Sequence, residues 1–293
     1  MENMLAQNKF FTAYRIADGV TRIVGMAMEC CYLLEGTKRA LLIDGLTGIG
    51  SLKAFVREMT NLPVTVALTH AHFDHSGVAW ESEAVYLHPA DNALLYADET
   101  THKKQCLDFV QMYRKLGIPA RTTPTMADVL GVHPLRTLPV CDGDVFDLGE
   151  LTVKAIAVPG HTRGSMVYVD CTHRMAFAGD ACNANTLLNL NGSASVAQYQ
   201  AGLAHWRTCI DTFDVLWNGH DHTAIPKTII DDGITLCQKI LAHTDDAIEI
   251  EDAFGGTSRL AAKRLKNFAV QGGGLCNIVY KPETVERSES PAL

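Results

Sequence analysis

Along the first third of the chain, apolar positions come in short runs rather than at helical spacing. Residues 20–24, 30–34 and 40–43 are such runs, the signature of half-buried and fully buried strands. Asp18-Gly19 and Glu35-Gly36-Thr37 punctuate them as turns. From residue 49 to 59 the period changes, and Leu52, Phe55, Val56 and Met59 share one helical face. Residues 64–68 then read as a buried strand. Residues 89–116 are polar, charged and helical in period, with Leu94, Leu95, Leu107, Phe109, Val110, Met112 and Leu116 as apolar positions. Pro119, Pro124, Pro134 and Pro139 break the chain that follows into loops. The stretch 89–139 is therefore expected to be a lid-like helical insertion, too polar to build a core of its own.

Strands resume beyond Val140. Residues 151–158 and 166–169 alternate, and residues 175–178 follow a turn at 171–174. A helix over 195–210 precedes a strand at 215–217. A second helix over 230–250 fits the spacing of Ile234, Cys237, Ile240, Leu241 and Ile248. Residues 275–280 read as a last strand and residues 281–293 as a frayed tail. Two blocks of strands, each followed by helices, predict two sheets flanked by helices within one domain spanning residues 1–293.

Composition narrows the class. The 293 residues are 47% hydrophobic and 20% charged, a mix that excludes a disordered or fibrous chain. No apolar run approaches the roughly 20 residues that cross a bilayer, so no membrane partner is expected. The net charge of −8 gives no global attraction for phosphate backbones, and nucleic acid is not an expected partner either. Lys103-Lys104 and Lys263-Arg264-Leu265-Lys266 read as solvated helix faces. The 9 cysteines are scattered and include no C-x-x-C pair, which fits reduced thiols in a cytoplasmic protein better than a disulfide framework. Residues 1–11 lack the basic and apolar regions of a secretory signal.

The chemistry concentrates in Thr69-His70-Ala71-His72-Phe73-Asp74-His75, directly after an apolar strand. In an extended segment His70 and His72 point to one side and can grip one metal. Asp74 and His75 follow where the chain turns and can face a second. Imidazole and carboxylate suit zinc and other first-row metals. H-x-H-x-D-H should arise by accident in roughly one such chain in a thousand. Three more polar residues stand just past strands: His161 in Pro159-Gly160-His161-Thr162, Asp180 after Gly179, and His220 after Gly219. Strand ends beside tight turns are where a scaffold presents ligands.

These motifs, together with Leu41-Leu42-Ile43-Asp44-Gly45, resemble those of the metallo-β-lactamase superfamily, in order and over residues 41 to 220. The resemblance implies a four-layer αββα sandwich. It implies His70, His72 and His161 on one metal, Asp74, His75 and His220 on a second, and Asp180 bridging both. Asp44 would orient the ligand loop without binding metal. The implied activity is hydrolysis of a small-molecule thioester, ester or lactone. Its nucleophile would be a hydroxide shared by two divalent ions, Zn2+ first, with Fe or Mn as alternatives. Asp74 would also serve catalysis by steering the proton.

Two readings of the same fold stay open: a mononuclear iron persulfide dioxygenase and a β-lactam hydrolase. The first would leave the second site empty, which the full set Asp74, His75 and His220 disfavours. The second is weakened because Asp180 stands where many secreted β-lactamases carry Cys. A binding protein that has lost catalysis is a third reading, disfavoured by the intact ligand set. Substrate contacts are expected from the insertion and from residues 183–199, with Tyr113, Asn183, Leu188 and Tyr199 as candidates. Arg259, Lys263, Arg264 and Lys266 are weaker candidates for a glutathione moiety. Cys182 and His222 lie close to ligands in sequence. The remaining histidines are expected on the surface or on helices.

Overall fold

A computed structural model describes residues 3–95, 98–251, 256–264, 270–271 and 273–285. Alternation decides its layering. In β4 (Cys30–Glu35), Cys31 and Leu33 face one apolar cluster while Cys30, Tyr32 and Leu34 face another. In β11 (Met166–Asp170), Met166 and Tyr168 share the cluster of Tyr32, whereas Val167 and Val169 face a third. Three apolar clusters separate four layers, so the chain forms an αββα sandwich.

The first sheet runs in sequence order. Its strands are β1 (Asn3–Gln7), β2 (Thr12–Ala17), β3 (Val20–Val24), β4, β5 (Ala40–Ile43), β6 (Val64–Ala67), β7 (Ala84–Leu87) and β8 (Arg136–Pro139). The second sheet is ordered β15-β14-β12-β11-β10-β9. It consists of β9 (Val145–Asp147), β10 (Thr152–Ala157), β11, β12 (Met175–Gly179), β14 (Val215–Asn218) and β15 (Ile225–Pro226). A smaller sheet, β13-β18-β17-β16, joins β13 (Thr186–Leu187), β16 (Ile248–Glu251), β17 (Thr257–Leu260) and β18 (Ile278–Tyr280). Between the two large sheets Tyr32 packs on Phe177 at 4.8 Å between ring centroids.

Helices cover the outer faces. α1 (Leu52–Arg57) buries Leu52, Phe55 and Val56 against the first sheet. Ser51 caps it by accepting a hydrogen bond from Ala54 N at 3.0 Å. α4 (Val196–Arg207) starts with a capping box of Ser195 and Gln198. With α5 (Ile229–Leu241) it covers the second sheet.

Three expectations fail locally. The helix expected over 230–250 ends at Leu241. His243 and Ala247 take left-handed φ of 54° and 45°, which turns the chain out of the helix. Ile248 and Ile250 then alternate with exposed Glu249 and Glu251 as β16. Proline-rich residues 134–139 end in β8, which pairs in parallel with β7, so the insertion stops short of residue 139. The expected helix face at Lys263-Arg264-Leu265-Lys266 is not helical where it is described: Arg264 bridges Val270, and Leu265 and Lys266 lie outside the described residues. Residues 286–293 of the expected tail also lie outside them.

The insertion consists of α2 (Asn92–Leu95) and α3 (Glu99–Lys115). It is not an appendage. Leu95, Cys106 and Val110 are buried in the cluster under α1. Among the described residues no helix is long and apolar enough to cross a membrane.

Candidate metal centre

Every ligand candidate sits at a strand end on one edge of the sandwich. β6 delivers the segment from His70 to His75, β10 leads to His161, β12 to Asp180 and β14 to His220. Gly219 must be glycine here: a Cβ would collide with the His75 ring and the Asp180 carboxylate.

Hydrogen bonds fix three of the five imidazoles. Asp44, held at a left-handed φ of 64°, accepts from Thr69 N at 2.7 Å and from Thr69 Oγ1. Its Oδ2 also accepts from His75 Nδ1 at 2.9 Å. Thr69 Oγ1 in turn lies 3.1 Å from His70 Nδ1. With its hydroxyl donated to Asp44, it accepts the His70 Nδ1 proton. His161 Nδ1 donates to the Leu187 carbonyl at 2.9 Å. Three rings are thereby set with Nε2 aimed into the cluster.

The ring nitrogens converge. His72 Nδ1 and His161 Nε2 are 2.9 Å apart, and His75 Nε2 and His220 Nε2 are 3.4 Å apart. Two nitrogens on one tetrahedral zinc at about 2.0–2.1 Å would be separated by about 3.4 Å. Asp180 Oδ2 lies 3.6 Å from His161 Nε2 and 3.3 Å from His220 Nε2. Asp74 Oδ2 is 3.5 Å from His220 Nε2. His70 Nε2 and Asp180 Oδ1 are buried without a hydrogen-bond partner, a costly state that a cation would relieve. The donor atoms of His70, His72 and His161, of His70, His75 and Asp180, and of Asp74, His75 and His220 form three tight groups able to hold metal.

Electrostatics divides the cluster. Burial, then neighbouring imidazoles, pushes His70 and His72 well below the ordinary histidine pKa. Both are therefore neutral ligands at pH 7. Burial alone would lower His75 as well, but the Asp74, Asp180 and Asp44 carboxylates outweigh it and hold the ring at about 10. Burial likewise opposes ionisation of Asp180, yet His220 and His75 hold its carboxyl well below the usual range. A metal at the second group must displace the His75 proton. Affinity there should rise at least about tenfold per pH unit from pH 6 to 8, because the His75 proton leaves only near 10 and the His220 ring, raised by Asp180, competes as well. Competition titrations with a chelator of known affinity check this slope, and a flat profile would contradict it.

The structure brings all seven predicted ligand residues together and places Asp44 behind them. Asp44→Ala should leave the Thr69 amide and His75 Nδ1 without their acceptor. The expected result is a 10- to 100-fold weaker second metal, read by the same titration.

Other candidates land elsewhere. Leu188 and Tyr199 are fully buried in the second-sheet core. The Tyr199 hydroxyl donates to the Ala181 carbonyl at 2.8 Å. These two expected substrate contacts are packing residues, because their burial leaves no surface for a ligand. Asn183 is half-buried, and its side chain accepts from Asn185 N in a local turn. Residues 183–199 support His161 instead: Leu187 orients the ring and Ser193 Oγ donates to the His161 carbonyl at 2.8 Å. The Cys182 thiol points into the core towards Ile229 O. His102, expected as a surface or helix residue, is on α3 but buried against Trp80. Tyr113 alone of the four substrate candidates flanks the cluster, through Phe109.

Two supports had no sequence signal. Asp91 is fully buried and accepts from Ala71 N at 3.2 Å, Thr162 Oγ1 at 2.7 Å and Gly164 N at 2.8 Å. It ties the His70–His72 turn to the His161 turn from the start of the insertion. Arg22 is buried between Tyr14 and Trp217 and donates to the His222 carbonyl. That bond braces the His220 loop, where Asn218 Oδ1 accepts from His220 N at 3.0 Å.

An αββα sandwich carrying paired His/Asp clusters at its strand ends defines a metal-binding, hydrolase-type scaffold. The chain belongs to the metallo-beta-lactamase superfamily, whose sequence profile matches residues 28–226. It is similar to the acyl-coenzyme A thioesterase MBLAC2 of Gallus gallus, 26% identical over 262 residues covering 85% of this chain and 80% of that protein. The Homo sapiens protein of that name is 26% identical over 265 residues, 85% of this chain and 81% of that protein. A metallo beta lactamase from Erythrobacter litoralis shares the fold at a TM-score of 0.54 and 16% identity, covering 81% of this chain and all (100%) of that one.

Proposed function

We propose that the protein is a dinuclear, zinc-dependent hydrolase of small-molecule acyl thioesters, with esters and lactones as neighbouring substrates. One observation carries the dinuclear reading: the Asp180 carboxylate lies within 3.6 Å of His161 and 3.3 Å of His220, one from each ligand set. The thioester preference rests on the thioesterases to which most of the chain is similar. Seven nitrogen and oxygen donors without a thiolate suit zinc, and also iron or manganese.

When bound, two divalent ions would lower the pKa of water towards neutrality, polarise the substrate carbonyl and stabilise a leaving thiolate. The chain supplies the rest. His70, His72 and His161 hold the first position, and Asp74, His75 and His220 the second. Asp44 and Thr69 keep His70 and His75 in the tautomers that leave Nε2 free. Asp74, whose side chain is 12% exposed, is placed to take the proton of the attacking water and return it to the departing sulfur. Water and thioester thus become carboxylic acid and thiol.

A panel of acyl-coenzyme A, glutathione thioester, lactone and β-lactam, run with and without chelator, tests this reading. Chelator-sensitive thioester turnover is the expected result. Turnover that survives complete metal removal, or activity confined to the β-lactam, would overturn it.

A further inference from the structure

The cluster opens to solvent on the side of His220, whose side chain is 23% exposed, while His75 on the inner side is at 0%. α3 passes beside that opening. The Phe109 ring centroid is 6.4 Å from His220, 5.4 Å from Phe73 and 5.0 Å from Tyr113. All three aromatic rings are half-buried. Burial, then the Asp74 and Asp180 carboxylates, pushes the Tyr113 hydroxyl upward.

The stripe does not stop there. Phe109, Met112, Tyr113 and Leu116 follow the i, i+3, i+4, i+7 spacing of one helical face. Met112 is 40% and Leu116 71% exposed, although both are large and apolar. The helix's charged and amide side chains at Lys104, Asp108, Gln111 and Lys115 are exposed on other positions. Cys106 and Val110 adjoin this stripe and are buried in the core, and Phe109 and Tyr113 pack against the same cluster, so the inner half of the stripe is seated on the core while Met112 and Leu116 are open. An apolar track therefore starts beside a ligand histidine and runs about 10 Å along the helix into solvent. Apolar surface continuous with a reactive site marks where an apolar part of a ligand lies.

We propose that the face formed by Phe109, Met112, Tyr113 and Leu116, with Phe73 at its inner end, binds the hydrocarbon chain of a medium- or long-chain acyl substrate whose carbonyl sits at the metal cluster. This deepens the thioesterase reading and rests on it for the identity of the scissile bond. The track carries no charge, so it takes the acyl chain and not the charged thiol portion. Each methylene covered by the track favours binding by about fourfold at full burial, less where one side stays wet.

Two readouts separate this inference from the activity it rests on. In the first, kcat/KM is measured for acetyl- and dodecanoyl-coenzyme A. The wild type should prefer dodecanoyl by at least about a hundredfold. Leu116→Glu lies on the surface and threatens no core. It should lose roughly tenfold on the dodecanoyl thioester and leave acetyl turnover unchanged. In the second, calorimetric titration of the metal-loaded protein with decanoate and acetate should give tighter decanoate binding in the wild type than in Leu116→Glu, with acetate equal in both. Equal turnover of the two chain lengths, or equal loss on both in Leu116→Glu, would overturn the track. If the wild type hydrolyses no thioester, the thioesterase reading falls. Decanoate binding then decides the track alone: weakening in Leu116→Glu sustains it, and unchanged binding overturns it.

Discussion

Asp180→Ala should strip the protein of both metals and lower kcat/KM by about a thousandfold or more. Its carboxylate lies within 3.6 Å of a histidine from each ligand set. Metal ions stabilise a developing transition-state charge by several kcal/mol, and each 1.36 kcal/mol is tenfold in rate. Losing the shared ligand weakens both positions at once, so the loss should exceed that for a ligand serving one metal. The variant also removes the principal counter-charge of His220 and one of the three carboxylates around His75, so Asp180→Asn serves as a control of similar shape. Metal analysis after gel filtration, beside kcat/KM, checks the outcome. Two tightly held metals in Asp180→Ala would show that the carboxylate does not bridge.

His72→Ala should behave differently. His72 contributes Nδ1 to the group with His70 and His161 and touches none of the second group's donors at hydrogen-bonding distance. Removing one of three nitrogen ligands should empty the first position and leave the second filled. Bound metal should fall from two equivalents to one, and turnover should drop by at least about a hundredfold. His72 is neutral when buried, so its loss strands no charge and the fold should survive. Wild-type activity in this variant would sink the assignment of the first position.

Much of this was legible in the sequence because the informative signals were local. H-x-H-x-D-H after an apolar strand, and three polar residues each just past a strand, needed only period and spacing to read. The apolar run at 30–34 and the alternation at 166–169 foretold strands, while the layer each side chain faces emerged only from the packing of the two sheets. What failed was long-range. Asp91 belongs to the site only because Ala71, Thr162 and Gly164 close around it, and nothing near residue 91 announces those partners. Arg22 joins the site only because β3 and the His220 loop bring Tyr14, Trp217 and the His222 carbonyl to it. Ile248 fitted a helical period by coincidence, and the left-handed turns that overrule it sit at non-glycine residues. Leu188 and Tyr199 show the remaining weakness: an apolar or aromatic residue near a ligand in sequence faces core as readily as cleft.

The measurement that bears most directly on the account is reconstitution. Metal-free protein is titrated with Zn2+ while hydrolysis of dodecanoyl-coenzyme A is followed. Turnover should be absent at the start, rise with added metal and level off at two equivalents per chain. Full activity at one equivalent, or thioester hydrolysis by the metal-free protein, would contradict a dinuclear hydrolase built on Asp180.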